Sequence, residues 1–111
     1  MTQSISESDW KLFRKLHPVA VERFCAQILN ELVGISADEA KSFHQRYIAI
    51  FKIIERRDKE LANAFDDLRR STALRQIAVI YGRGLLTEDE LNGFSQGLVN
   101  IVKSLVNESY A

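Results

Sequence analysis

The chain has 111 residues, of which 46% are hydrophobic and 27% are charged, and its 15 basic and 15 acidic residues cancel. This size and composition predict a single helical domain over residues 1–111 with its own hydrophobic core. One cysteine excludes an intramolecular disulfide and a cysteine-based zinc site. The acidic N-terminus lacks the apolar segment of a secretory signal, and no apolar run reaches the roughly 18 residues that span a membrane. We therefore expect a cytoplasmic protein without membrane contact.

The charges are distributed unevenly along the chain. Residues 1–40 carry four Lys or Arg against six Asp or Glu, residues 41–83 carry ten against five, and residues 84–111 carry one against four. Either the acidic ends fold against the basic middle, which lowers the total field, or the basic middle binds an anion. We favour the first explanation.

Proline occurs once and glycine five times, and every strong hydrophobic period is helical. The predicted fold is all-α, an antiparallel bundle of four to five helices around one long central helix at about residues 37–68.

The first third of the chain predicts two helices with a corner between them. Ser6 and Asp9 form a weak capping box, so a helix should begin at Ser6. Pro18 should end it, because the residue before a proline disfavours helical backbone and proline itself favours the first position of a new helix. The second helix should stop at Gly34. Cys25 lies on its apolar side, where a small buried hydrophobe is expected rather than a nucleophile.

The central helix is predicted to begin at a stronger capping box, formed by Ser36 and Glu39. Its apolar residues recur at steps of three and four, which places them in one stripe along the helix. This apolar stripe comprises Phe43, Tyr47, Ile50, Phe51, Ile54, Leu61, Ala64, Phe65 and Leu68. Phe51 and Phe65 are both expected to be buried in it.

The stripe is interrupted at Arg57 and Asp58, where the next apolar pair is due. One interpretation is a solvated helix face laced by salt bridges, from which both side chains extend into water. The alternative is a polar layer, formed by Arg57 and Asp58, that fixes the register against a partner helix. We favour the solvated face.

Further helices are predicted after the central one. Ser71 could cap a new helix or lie within one long helix that reaches Tyr81. The apolar face that includes Leu74 and Ile77 is rotated from the preceding stripe, which favours a kink or break near Ser71, and Gly82-Arg83-Gly84 should stop this helix. Thr87 and Glu90 form another capping box. A seam of apolar residues at alternating steps of three and four follows, namely Leu91, Phe94, Leu98, Ile101 and Leu105. Gly93 and Gly97 within it predict a helix break near Ser95 or, alternatively, a close helix crossing.

Catalytic and metal-binding patterns are missing from the sequence. Neither His17 nor His44 follows an acidic residue by three positions, so the Glu-x-x-His pairs of a di-iron or di-manganese bundle are missing. The chain also lacks a Gly-rich phosphate loop and a Gly-x-Ser-x-Gly turn. A DNA-reading helix after residue 82 would begin with Glu88, Asp89 and Glu90, which phosphate repels. We expect no enzymatic activity, no cofactor and no bound metal.

Two stretches resemble small bacterial proteins, residues 7–24 (ESDWKLFRKLHPVAVERF) and residues 56–73 (RRDKELANAFDDLRRSTA). The resemblance extends over most of the chain. It implies an all-α family but no activity. It implies no functional residue.

These features favour a non-enzymatic helical protein that binds another protein or itself, most simply as a homodimer. The expected surface is one edge of the helix over residues 47–68, or the seam over residues 91–105. The alternative is binding of RNA or another polyanion by the basic region 52–83, through Arg56, Arg57, Arg69, Arg70, Arg75 and Arg83. Interleaved aspartates and a shortage of free aromatic rings weigh against it.

Overall fold

The computed structural model describes residues 5–110, with side chains over residues 5–108. Five helices and no strand occur in this range: α1 (Glu7–Ser36), α2 (Phe43–Phe65), α3 (Ala73–Gly82), α4 (Glu88–Leu91) and α5 (Gln96–Tyr110). The helices pack against one another, and the predicted all-α bundle is confirmed. No helix within residues 5–110 combines the length and the apolar character needed to cross a membrane.

The molecule is elongated because α1 and α2 form a hairpin that extends past the other helices. Its extents are 52 × 25 × 24 Å and its radius of gyration is 16.7 Å, whereas a compact domain of this length has about 13 Å. No residue between Phe24 and Ala64 is buried. We call residues 25–60 the arm, and residues 5–24 and 61–108 the body.

The core lies in the body and combines the first part of α1 and the end of α2 with the three shorter helices. Its largest fully buried apolar side chains come from every part of the body before and after the arm: Phe13, Phe24, Ile77, Ile80, Leu85, Leu91 and Val102. His17 joins α1 to the end of α2, since its Nε2 lies 3.0 Å from the carbonyl oxygen of Phe65. The same imidazole packs edge-on against Phe13 and Phe65, with ring centroids 5.7 and 5.3 Å apart.

The N-terminal region is one helix of 30 residues, so the predicted corner at Pro18 and the stop at Gly34 are wrong. Ser6 does cap it, and its hydroxyl accepts from the Asp9 amide. An internal proline costs about 3 kcal/mol. Phe13, Ala20 and Phe24 are buried on both sides of Pro18 along one continuous face, and that packing outweighs the local preference.

The central helix begins later and ends earlier than predicted, at Phe43 and Phe65 instead of residues 37 and 68. The box at Ser36 and Glu39 is wrong, because Ser36 is the last residue of α1. Ser42 and Gln45 form the actual capping box. The longest helix of the described chain is therefore α1, and α2 is its 23-residue partner.

The later boundaries agree with the sequence. A break separates α2 from α3 around Ser71, α3 ends at Gly82, and Gly84 adopts a left-handed φ of 76°. The Thr87 and Glu90 capping box is present, and α4 and α5 are separated by a break that includes Ser95.

The break before α5 changes which of its residues are buried. Val99 and Val102 are buried instead of Ile101 and Leu105, because a seam counted from Leu91 assumes a continuous helix. Gly93 also permits a close approach, since a Cβ there would lie 3.0 Å from Leu12 Cδ2.

A bidentate salt bridge fixes α4 against α1. The guanidinium of Arg23 donates to both Glu90 carboxylate oxygens, at 2.6 and 2.9 Å, and to the Leu85 carbonyl oxygen at 3.0 Å. The Glu90 carboxylate also accepts from the Thr87 amide. Arg23 and this amide lower the pKa of Glu90 from 4.5 to about 2.

Acidification is therefore expected to remove the contribution of Glu90 to stability between about pH 4.5 and pH 2. A carboxylate whose pKa is lower in the folded state stabilises the fold above its unfolded pKa and ceases to do so below its folded pKa. Because the Arg23 side chain is 38% exposed, we expect Glu90→Gln to lower the free energy of unfolding by only about 1–2 kcal/mol at pH 7. Urea unfolding of both proteins at pH 7, 4.5 and 2.5 measures the difference.

The difference between wild type and Glu90→Gln should shrink as the pH falls. Glu39→Gln is the matched control, because Glu39 is exposed and has no ion pair within residues 5–108. A difference that stays constant down to pH 2.5 would contradict the role of the ionised carboxylate.

Candidate protein interface

The apolar stripe of α2 is covered at one end and uncovered at the other. Ala64 and Phe65 are buried, as predicted for Phe65. Toward the N-terminus of α2 the stripe is exposed: Phe43 to 84%, Tyr47 to 66%, Phe51 to 55% and Ile54 to 47%. The predicted burial of Phe51 is therefore wrong. We call the surface formed by these four exposed residues the α2 face.

The lengths of the neighbouring helices explain this division. At about 1.5 Å per residue, α2 is about 35 Å long and the ten-residue α3 only about 15 Å. The body helices therefore cover α2 only near Phe65. Along the arm α2 has α1 as its neighbour, and Ala49, Ile50 and Ile53 are half-buried there. The α2 face lies beside this seam and stays largely exposed, although the Arg46 guanidinium of the same helix lies 4.7 Å from the ring centroid of Phe43.

Arg57 connects the two helices of the arm within one chain. Its Nε donates to Glu31 Oε1 of α1 at 3.1 Å, and its Nη1 donates to Glu60 Oε2 at 2.9 Å. The hydrogen bonds to Glu60 and Glu31 raise the pKa of Arg57 above its ordinary value. Its guanidinium also lies 5.8 Å from the ring centroid of Phe24. Arg57 therefore contributes to the pairing of α1 with α2.

Asp58 differs from Arg57 although the two are adjacent in sequence. Its side chain is exposed and has no ion pair within residues 5–108. The predicted polar layer that fixes the register against a partner stays a prediction, with Asp58 as the member still available to a partner.

The six candidate anion-binding arginines do not form one cluster. Five of them are paired with carboxylates of the same chain: Arg56 and Arg57 with Glu31, Arg69 with Asp67, Arg70 with Glu7, and Arg83 with Glu60. Arg75 has no ion pair among the described residues and lines an open cleft of about 480 Å³ between α3 and α5. The pairs with Glu31 and Glu7 place acidic groups of α1 against the basic middle, whereas Asp67 and Glu60 belong to the basic middle itself. Polyanion binding stays a prediction that this arrangement does not favour.

Other candidate residues are dispersed. Ile101 and Leu105 of the predicted seam are 41% and 38% exposed, while Leu91, Phe94 and Leu98 are part of the core. Cys25 is half-buried. Among residues 5–108, no three His, Cys, Asp or Glu side chains are arranged to hold a metal ion.

Leu29 and Val33 are two α1 residues that the sequence patterns did not assign to a candidate surface, and they are 61% and 66% exposed. Ile28, Leu32 and Ile35 are half-buried, so Leu29 and Val33 are each one residue, or 100° of helix rotation, past the packed side. Two apolar residues four apart and outside the packed side of α1 could have been recognised from the sequence.

Comparison with known proteins identified no relative: no family model, curated protein or solved structure matches the chain. Function must therefore be inferred from the geometry of the chain itself.

Proposed function

We propose that the protein is a non-enzymatic helical interaction module that associates with itself through the α2 face. The observation that carries this proposal is the division of one apolar stripe into a covered half and an uncovered half. Phe65 is 5% exposed and Phe43 is 84% exposed, although both belong to the same stripe of α2. Contiguous exposed apolar surface on a small protein is typical of an interaction site.

The chemistry of the α2 face supports protein binding. Three of its four residues are aromatic, and aromatic anchors supply much of the binding energy at protein interfaces. Tyr47 combines an apolar ring with a hydroxyl, a combination that is enriched at interfaces. The arm also has no fully buried side chain, since every residue from 25 to 63 is half-buried or exposed. A partner helix on the α2 face would bury this surface and complete a small bundle.

Substitution of the face is expected to abolish self-association without unfolding the chain. The double variant Tyr47→Gln and Phe51→Gln removes two exposed aromatic rings and keeps residues with good helix propensity. A symmetric pair loses four rings, two from each protomer, and at about 1–2 kcal/mol for each ring the dissociation constant should rise by about 1000-fold or more. Sedimentation equilibrium from 1 to about 100 μM protein measures it, and circular dichroism checks the helix content.

The matched control is the double variant Leu29→Gln and Val33→Gln, which removes two equally exposed apolar side chains from α1. It should leave the mass distribution unchanged. A wild-type protein that is monomeric throughout the range rules out self-association, and affinity capture with the wild-type and Tyr47→Gln/Phe51→Gln proteins then tests for a different protein partner.

A further inference from the structure

We infer that the second copy packs antiparallel on α2, with the twofold axis level with residue 49. This inference rests on the proposed self-association and specifies its geometry. In an antiparallel pair of helices, residues whose numbers have a constant sum lie at the same level. A sum of about 98 sets Tyr47 opposite the partner's Phe51 and Phe43 opposite the partner's Ile54. The α2 face is thus self-complementary, as a twofold interface requires.

The charges flanking the face favour this orientation. Glu55 and Asp58 are exposed and have no ion pair among the described residues. The antiparallel register brings Glu55 to the level of His44, whose ring N–H can donate to it, and brings Asp58 near the loop before α2, which carries Lys41. A parallel pair would instead set Glu55 and Asp58 against their own copies, and such like-charge contacts disfavour an interface.

The uncovered length of α2 fits the same register. The body begins to cover the stripe at Leu61, so a partner has room only up to about Glu60. In the antiparallel pair Phe43, where α2 begins, lies at the level of residue 55 of the other copy, and the loop of residues 37–42, the tip of the arm, lies beyond that level toward the other body. Each tip therefore stops where the other body begins, and the two bodies lie at opposite ends of the paired arms.

The exposed area of the α2 face is also of the same order as the area that a stable interface buries. At their observed exposures the four side chains of the α2 face leave about 500 Å² of mainly apolar surface per protomer. A standard stable interface buries about 800 Å² per partner. The flanking polar residues and the tip supply the remainder.

Disulfide cross-linking tests the register. In a Cys25→Ser background, Phe43→Cys and Ile54→Cys protomers are mixed above the dimer dissociation constant and oxidised mildly. We expect a cross-linked heterodimer from the mixture and none from Phe43→Cys alone, because residue 43 and its copy would be about 18 Å apart along the axis. A disulfide needs Cα atoms within about 7 Å.

Two results would overturn the inference, and they are distinguishable. Cross-linking of Phe43→Cys with itself indicates a parallel pair, and a dimer by sedimentation that gives no cross-link in the mixture indicates another surface. Both results overturn the register but remain consistent with self-association. A wild-type protein that is monomeric in sedimentation overturns the proposed function and this register together. His44→Cys mixed with Glu55→Cys repeats the test at the polar edge of the face and keeps all four apolar residues.

Discussion

Replacing Phe65 by alanine is expected to lower the free energy of unfolding by about 3–5 kcal/mol, a large part of the 5–15 kcal/mol that domains usually possess. Phe65 is 5% exposed and lies in the body, where the end of α2 packs against α1. Its ring packs against His17 and Phe24, with centroids 5.3 and 6.1 Å away. Truncation removes these contacts and leaves a cavity between helices that α2 itself cannot close. Urea denaturation followed by circular dichroism measures the loss.

Phe51→Ala is the matched control, since it makes the same chemical change in the same stripe. Phe51 is 55% exposed, so the expected loss is below about 1 kcal/mol when monomer dominates. The two variants should therefore differ by at least about 2 kcal/mol. Equal losses would mean that the outer part of α2 is packed in the monomer, which would contradict the division of the stripe.

Replacing Asp9 by alanine is expected to cost about 2–4 kcal/mol. Asp9 is 4% exposed, and its carboxylate accepts from the Ser95 amide at 2.8 Å and from the Ser95 hydroxyl at 2.6 Å. These bonds attach the first turn of α1 to the residue just before α5, 86 positions away in sequence. Removal of the carboxylate leaves the Ser95 amide without this acceptor. Urea denaturation at pH 7 measures the effect.

Two controls separate this contact from a general effect of alanine in the first turn. Ser8→Ala changes an exposed neighbour and should cost less than about 0.5 kcal/mol. Ser95→Ala removes one of the two hydrogen bonds and should cost about half as much as Asp9→Ala, with a coupling between the two substitutions in a double-mutant cycle. A loss for Asp9→Ala no larger than that for Ser8→Ala would show that the contact contributes little.

Local capping chemistry allowed most later helix boundaries to be predicted. Thr87 and Glu90 form the expected box, and Gly84 adopts the left-handed conformation that its place after α3 requires. The same pattern gave a wrong start for α2 at Ser36, because two pairs fit a capping box: Ser36 with Glu39, and Ser42 with Gln45. Only the second lies beyond the end of α1.

The exposed half of the stripe could not be predicted, because periodicity identifies an apolar side of a helix but not how far its neighbours extend. Phe51 and Phe65 occupy equivalent positions in the pattern and differ only in what surrounds them. The length of a helix relative to its companions indicates that some apolar surface is left uncovered, but not which residues form it. The identity of the uncovered residues follows from α3 ending within ten residues while α1 continues for 30.

Residues 25–63 have no buried side chain. The amino-acid substitutions that the arm tolerates are therefore limited by different factors from those that the body tolerates. Core positions such as Phe13 and Ile77 tolerate little change in volume. The arm is limited mainly by helix propensity and by the α1 and α2 seam. Insertion of seven residues into each helix would keep that seam in phase and move the tip by about 10 Å. The length of the hairpin can thus be changed without altering the core of the body.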